Sequence, residues 1–139
     1  MIKPNLTARK KIIAINSLII AALFGLVSLN KEILRPALNS KPIADIITGC
    51  FPNFVAAYLL CLALVNAVLI KKPKHGKLFA YTGSIIIFII LTIEELKPMW
   101  GASTHYDSYD IIASGVGSFL AILTYELIRL SRLYRIKKN

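Results

Sequence analysis

The sequence is poor in acidic residues and cysteine, and it has no recognisable catalytic or metal-binding motif. Only 7 of its 139 residues are Asp or Glu, against 17 Lys or Arg. Cys50 and Cys61 lie about three helical turns apart, roughly 16 Å, which is beyond disulfide reach. We therefore interpret both as small packing residues. Because no metal-ligand spacing, nucleophile–base pair or phosphate-binding loop occurs, we expect no cofactor and no dedicated metal site.

Long apolar blocks dominate what is present. Hydrophobic residues make up 56% of the chain, and they are concentrated in segments 12–29, 53–70, 78–93 and 110–130. Each segment approaches or exceeds the roughly 17–20 residues that a helix needs to cross a membrane. A soluble bundle would alternate apolar and charged faces, which the central turns of these segments do not do. The sequence predicts an all-α polytopic membrane protein, a bundle of four transmembrane helices in a single domain, 1–139.

The basic residues are distributed unevenly among the connections. Thirteen of the 17 precede the first block, join the second to the third, or lie at or beyond the end of the fourth. This is the positive-inside pattern, and it predicts that both termini are cytoplasmic. We therefore interpret these basic residues as signals that orient the chain in the membrane and attract membrane lipids, and not as a nucleic-acid-binding surface. We also expect His75, in the second connection, to be solvated, and Glu126 to form a local ion pair with Arg129.

Pro52 interrupts the apolar run that leads into the second block. Since proline removes a helical hydrogen bond, we expect a short interfacial or kinked helix at 43–51 and a second span that begins near Asn53. The sequence leaves open whether Pro52 kinks one continuous helix or ends a separate one.

Small residues recur every four positions in the fourth block, at Ala113, Gly117 and Ala121. Such faces let helix backbones pack closely. In lipid, where the hydrophobic effect does not drive helices together, this close packing is what holds them. The 113–121 face therefore predicts close packing, either within the subunit or between the subunits of a homo-oligomer.

Six of the seven acidic residues lie on the exterior side in this topology. A short loop joins the third helix to the fourth, so carboxylates at the facing ends of these helices should lie close together. Ionisable groups at the edge of the hydrocarbon core are candidates for function, although solvated loop acids are the simpler alternative. Asp110 shares one helix face with Ser114 and Gly117. The candidate ligand-binding residues are Glu94, Glu95, Asp107, Asp110, Ser114 and Gly117.

The order of these residues resembles a known family. A Glu at the end of one span, a short loop, and then Asp110, Ser114, Gly117 and Ala121 are similar to the pattern of the VanZ-like family of small bacterial membrane proteins. The segment 45–64 resembles the family's Asp-led second span, and the likeness covers about two-thirds of the chain. Ser114 stands where the family has Asn. The resemblance implies an envelope-facing site, location in the bacterial inner membrane and a link to glycopeptide antibiotic resistance.

Three functions are compatible with these features. The first is a non-enzymatic membrane protein whose exterior acidic cleft binds an envelope molecule or a cation. The second is a membrane enzyme that acts on a lipid-linked substrate, with the four acidic candidates as metal ligands or acid–base groups. The third is an oligomeric channel or effector, in which the 113–121 face forms the subunit contact.

Overall fold

The fold was examined in a computed structural model that describes residues 6–38, 41–71, 73–97 and 107–138. These ranges are almost entirely helical and contain no strand. In chain order, the elements are α1 (Leu6–Leu29), a π-helix (Asn30–Leu34), α2 (Arg35–Leu38), α3 (Pro42–Lys71), α4 (Gly76–Leu96) and α5 (Ser108–Lys138).

In the described part of the chain, four helical segments are long and apolar enough to cross a membrane. They are Ser17–Leu38, Pro42–Lys71, Gly76–Leu96 and Ser108–Ser131. Their outward surfaces carry large apolar side chains, such as Ile86, which is 55% exposed, and Phe119, which is 64% exposed. Exposed apolar surface on this scale is costly in water and suits contact with lipid. The predicted all-α class and the predicted four helices of membrane-spanning length are both confirmed. Together they indicate a multi-pass membrane protein.

The chain forms two compact units, Met1–Thr48 and Gly49–Asn139. In the first unit, the π-helix follows α1 and leads into α2. The side-chain amide of Asn30, which is 4% exposed, donates a hydrogen bond of 2.7 Å to the backbone carbonyl of Thr48. The Thr48 hydroxyl donates in turn to the carbonyl of Ala44 at 2.8 Å.

The structure decides the alternative that Pro52 left open: there is one continuous helix and no separate interfacial helix at 43–51. These residues form the first part of α3, which runs without interruption through Pro52. The second span therefore begins at Pro42 instead of near Asn53. Pro52 has no N–H to donate to the carbonyl four residues earlier, which is that of Thr48. Asn30 provides a donor to this carbonyl, and the helix can continue without a buried polar group lacking a partner.

In the second unit, α5 packs closely against α3 through the predicted small residues. Ala121 is fully buried and Ala113 is 9% exposed. A Cβ atom added at Gly117 would collide with the backbone carbonyl of Phe54 and lie 3.1 Å from the Cβ of Ala57. The 113–121 face therefore packs within the subunit, and a homo-oligomer that used it would first have to uncover it.

The core of the second unit lies where α3, α4 and α5 meet. Val65 and Val68 of α3 pack with Ala80 of α4 and Tyr125 of α5. The contacts along α4 and α5 place residue 81 beside residue 126, and residue 95 near residue 110. The two helices are therefore antiparallel, and this arrangement gives the unit two distinct polar ends.

Candidate ligand site at the acidic end

The end of α4 and the beginning of α5 bring carboxylates together, as the sequence predicted. Glu95, in the last turn of α4, accepts a hydrogen bond from the backbone N–H of Asp107, which immediately precedes α5. The negative charge that acts most strongly on Glu95 is that of Asp110, followed by those of Asp107 and Glu94. All four predicted acids thus lie at one end of this unit, which we call the acidic end.

The four acids differ in their exposure to solvent. Glu95 and Asp110 are half-buried, whereas Glu94 and Asp107 are exposed. Carboxylates are most strongly coupled where burial lowers the local dielectric, so Glu95 and Asp110 form the centre of the acidic end. Glu94 and Asp107 form its rim.

Asp107 also has a structural role at the start of α5. Its carboxylate oxygen Oδ1 accepts a hydrogen bond of 2.9 Å from the backbone N–H of Tyr109. This is the contact of a helix N-cap, and it satisfies one of the amides that the first turn leaves without an intrahelical partner. Asp107 therefore fixes the beginning of α5 and, through its own N–H, the position of Glu95.

The other two predicted residues lie deeper on α5. Ser114 is one turn below Asp110 and is 6% exposed. Gly117 contacts the backbone of α3 and takes no part in the acidic surface itself. Asp110, Ser114 and Gly117 lie on one face of α5, as predicted, and this face points inward. Ser114 is the next polar residue on it after Asp110. The connection 98–106 between α4 and α5, which contains Trp100, His105 and Tyr106, lies outside the described residues.

Cys50 of α3 also lies at the acidic end, which the sequence did not predict. The charges of both Asp110 and Asp107 act on its thiol. Both cysteines are free, as their spacing predicted. The sequence does not show that Cys50, 45 residues before Glu95, lies near the acids. This proximity depends on how α3 packs against α4 and α5.

Small polar side chains meet in the middle of the second unit. The Cys61 thiol donates to the Ser118 hydroxyl at 3.5 Å and lies 3.9 Å from the backbone carbonyl of Ser84. Cys61 and Ser84 are fully buried and Ser118 is 6% exposed. Side chains of this size let three helices approach one another closely, which is the packing role that we predicted for Cys61.

A second polar cluster lies at the opposite end of the unit, around Glu126. Its Oε2 atom is 3.0 Å from Nη1 of Arg129, which confirms the predicted local ion pair. Its Oε1 atom accepts a hydrogen bond of 2.9 Å from the Tyr81 hydroxyl and lies 3.9 Å from Nζ of Lys77. The contacts with α4 were not predicted, since 45 residues separate Tyr81 from Glu126.

Within the described ranges, no group of three or more His, Cys, Asp or Glu residues is placed so that it could hold a metal ion. The comparisons with known proteins give no match. Neither a scan against protein-family models nor searches of curated proteins and of solved structures found one.

Proposed function

We propose that the chain is a multi-pass protein of the bacterial inner membrane whose acidic end faces the exterior and binds a cationic group, carried by an envelope molecule or present as a free cation. Both termini are then cytoplasmic. This proposal rests on one observation. Glu95 in the last turn of α4 and Asp110 in the first turn of α5 lie close together at the ends of two apolar helices. The protein acts by binding and not by catalysis.

Electrostatics supports a cationic ligand. Two half-buried carboxylates that act on each other repel, and the repulsion grows as the surroundings become less polar. A cation between Glu95 and Asp110 would replace this repulsion with two attractive interactions. Ser114, one turn deeper, offers a hydroxyl to the same ligand, and Gly117 lets α5 approach α3 closely enough to fix the site.

The segregation of charge supports the orientation. Four of the five acids of the second unit, all except Glu126, lie at the end formed by Glu95 and Asp110, whereas Lys71, Lys74 and Lys77 lie at the other end. Basic residues remain preferentially on the cytoplasmic side during insertion. The acidic end is then exterior.

Membership of the VanZ-like family is part of this proposal. The positions that carry the resemblance (Glu94 or Glu95, then Asp110, Ser114, Gly117 and Ala121) lie at the end of α4 and along the inward face of α5. The family's link to glycopeptide resistance gives a cellular test. Expression of the chain should reduce susceptibility to a glycopeptide, and Asp110→Ala should abolish this effect while membrane insertion is unchanged. A fully active Asp110→Ala variant would show that the site assignment is wrong.

Binding can be tested directly on purified protein in detergent. Thermal unfolding is followed with added Ca²⁺ and, separately, with spermidine as an organic cation. At least one of them should stabilise the wild type but not the double variant Glu95→Gln with Asp110→Asn. Glu126→Gln is the control, because Glu126 lies at the opposite end of the same unit and its variant should still respond to the cation. A double variant that responds to cations as the wild type does would refute the proposal.

A further inference from the structure

A cavity of about 450 Å³ lies at the turn between α3 and α4, at the end of the second unit opposite the acids. It is lined by Lys74, His75, Lys77, Leu78 and Tyr81. The turn is closed by a hydrogen bond of 3.0 Å from the Gly76 N–H to the Pro73 carbonyl. This places two lysines and a histidine around one concave surface, beside the first turn of a candidate membrane span.

The charges around the cavity are predominantly positive. Lys77 lies 3.9 Å from Glu126, and its ammonium group is 5.4 Å from the centre of the Tyr81 ring. Glu126 has two closer partners, the Arg129 guanidinium at 3.0 Å and the Tyr81 hydroxyl at 2.9 Å. Arg129 therefore balances the charge of Glu126, and the ammonium groups of Lys74 and Lys77 give the cavity a net positive charge.

The walls below the lysines are apolar. Leu78 is 61% exposed, and the ring of Tyr81 continues the apolar surface along α4. A free inorganic anion would gain nothing from this surface. An anion that carries a hydrocarbon chain would contact both parts of the cavity, since the lysines can pair with its charge and Leu78 can contact its chain.

We propose that this cavity binds the phosphate group of a membrane phospholipid. Lys74 and Lys77 contact the phosphate, and Leu78 and Tyr81 contact the upper part of the acyl chains. Lysine ammonium groups bind phosphate oxygens through charge-assisted hydrogen bonds, and such contacts strengthen at a membrane surface. The proposal depends on insertion in a membrane but not on the acidic end or on its orientation.

Native mass spectrometry of the full chain in detergent, titrated with phosphatidylglycerol, tests the proposal. The wild type should retain one lipid preferentially. Lys74→Ala with Lys77→Ala should weaken retention about ten- to thirtyfold, since each lysine near a membrane surface contributes a several-fold effect. Lys31→Ala with Lys41→Ala removes the same charge from exposed positions of the first unit and should leave retention nearly unchanged.

Three further measurements make the result decisive. Lys74→Arg with Lys77→Arg should retain the lipid, because the charge is kept, which separates binding from folding. Glu95→Gln with Asp110→Asn should also retain it, so that failure at the acidic end leaves this test intact. Millimolar inorganic phosphate should not displace the lipid; displacement would identify a free-phosphate site instead. An equal loss of retention in the two double-alanine variants would refute a specific site.

Discussion

The side-chain amide of Asn30 donates a 2.7 Å hydrogen bond to the carbonyl of Thr48, the carbonyl that Pro52 leaves without its helical donor. Both Asn30 and Thr48 are buried, at 4% and 6% exposure. A buried carbonyl without a donor is costly, more so where water is scarce. This hydrogen bond thus links the position of the π-helix to the continuity of α3.

Replacing Asn30 should therefore destabilise the protein. Asn30→Ala leaves the Thr48 carbonyl buried without this donor, and we expect a loss of about 1–2 kcal/mol in the free energy of unfolding. Reversible unfolding in mixed detergent micelles measures the change.

The interpretation is tested in the background of Pro52→Ala, which restores a backbone N–H to the helix. There, Asn30→Ala should cost clearly less, because the carbonyl has an alternative donor. Equal costs in the two backgrounds would contradict the proposed relation between Asn30 and Pro52.

At Gly117, α5 lies close against the backbone of α3. A Cβ atom there would meet the Phe54 carbonyl oxygen and lie 3.0 Å from the backbone nitrogen of Tyr58. Backbone atoms cannot rotate away, so the helices would have to separate. We expect Gly117→Ala to destabilise the protein by about 1–3 kcal/mol, measured as a lower Tm in detergent.

Gly25 of α1 is the matched control. Apart from its chain neighbours and the adjacent backbone of α1, no atom in the described part of the chain lies within 4 Å of the position that its Cβ would take. Gly25→Ala should be neutral or stabilising by up to about 1 kcal/mol, because alanine favours the helix. A destabilisation equal to that of Gly117→Ala would show that the effect at Gly117 does not come from its contact with α3.

Features that depend on spacing along one helix could be predicted from the sequence. The four apolar spans follow from run length. The inward face at Ala113, Gly117 and Ala121 follows from helical periodicity. The proximity of Glu95 and Asp110 follows because a short connection joins two antiparallel helices.

Features that depend on the packing of distant segments could not be predicted. The sequence left open whether the helix continues through Pro52. The hydrogen bond that proline loses is visible in the sequence, whereas the donor that compensates for it, the amide of Asn30 18 residues before Thr48, is not. Cys50 at the acidic end and Tyr81 beside Glu126 were missed for the same reason. Only the relative rotation of α3, α4 and α5 brings these groups together.

The Tyr81 hydroxyl should contribute to stability through Glu126. Tyr81→Phe removes its 2.9 Å hydrogen bond to the carboxylate and should cost about 1 kcal/mol, which is less than is usual for a charged acceptor because Glu126 is only partly buried. In the Glu126→Gln background the cost should fall. Tyr109→Phe, at an exposed position, is the control and should have no effect. Equal effects of Tyr81→Phe in both backgrounds would mean that the hydroxyl does not act through Glu126.

The proposed orientation predicts which cysteine substitutions are accessible from outside an intact cell. In a background with Cys50→Ser and Cys61→Ala, a membrane-impermeant maleimide should label Ser108→Cys, at the acidic end. It should label Lys74→Cys, at the basic turn, only after permeabilisation. Both positions are exposed in the folded chain, so burial cannot account for a difference. Labelling of both from the same side would contradict the topology, because α4 would then not cross the membrane.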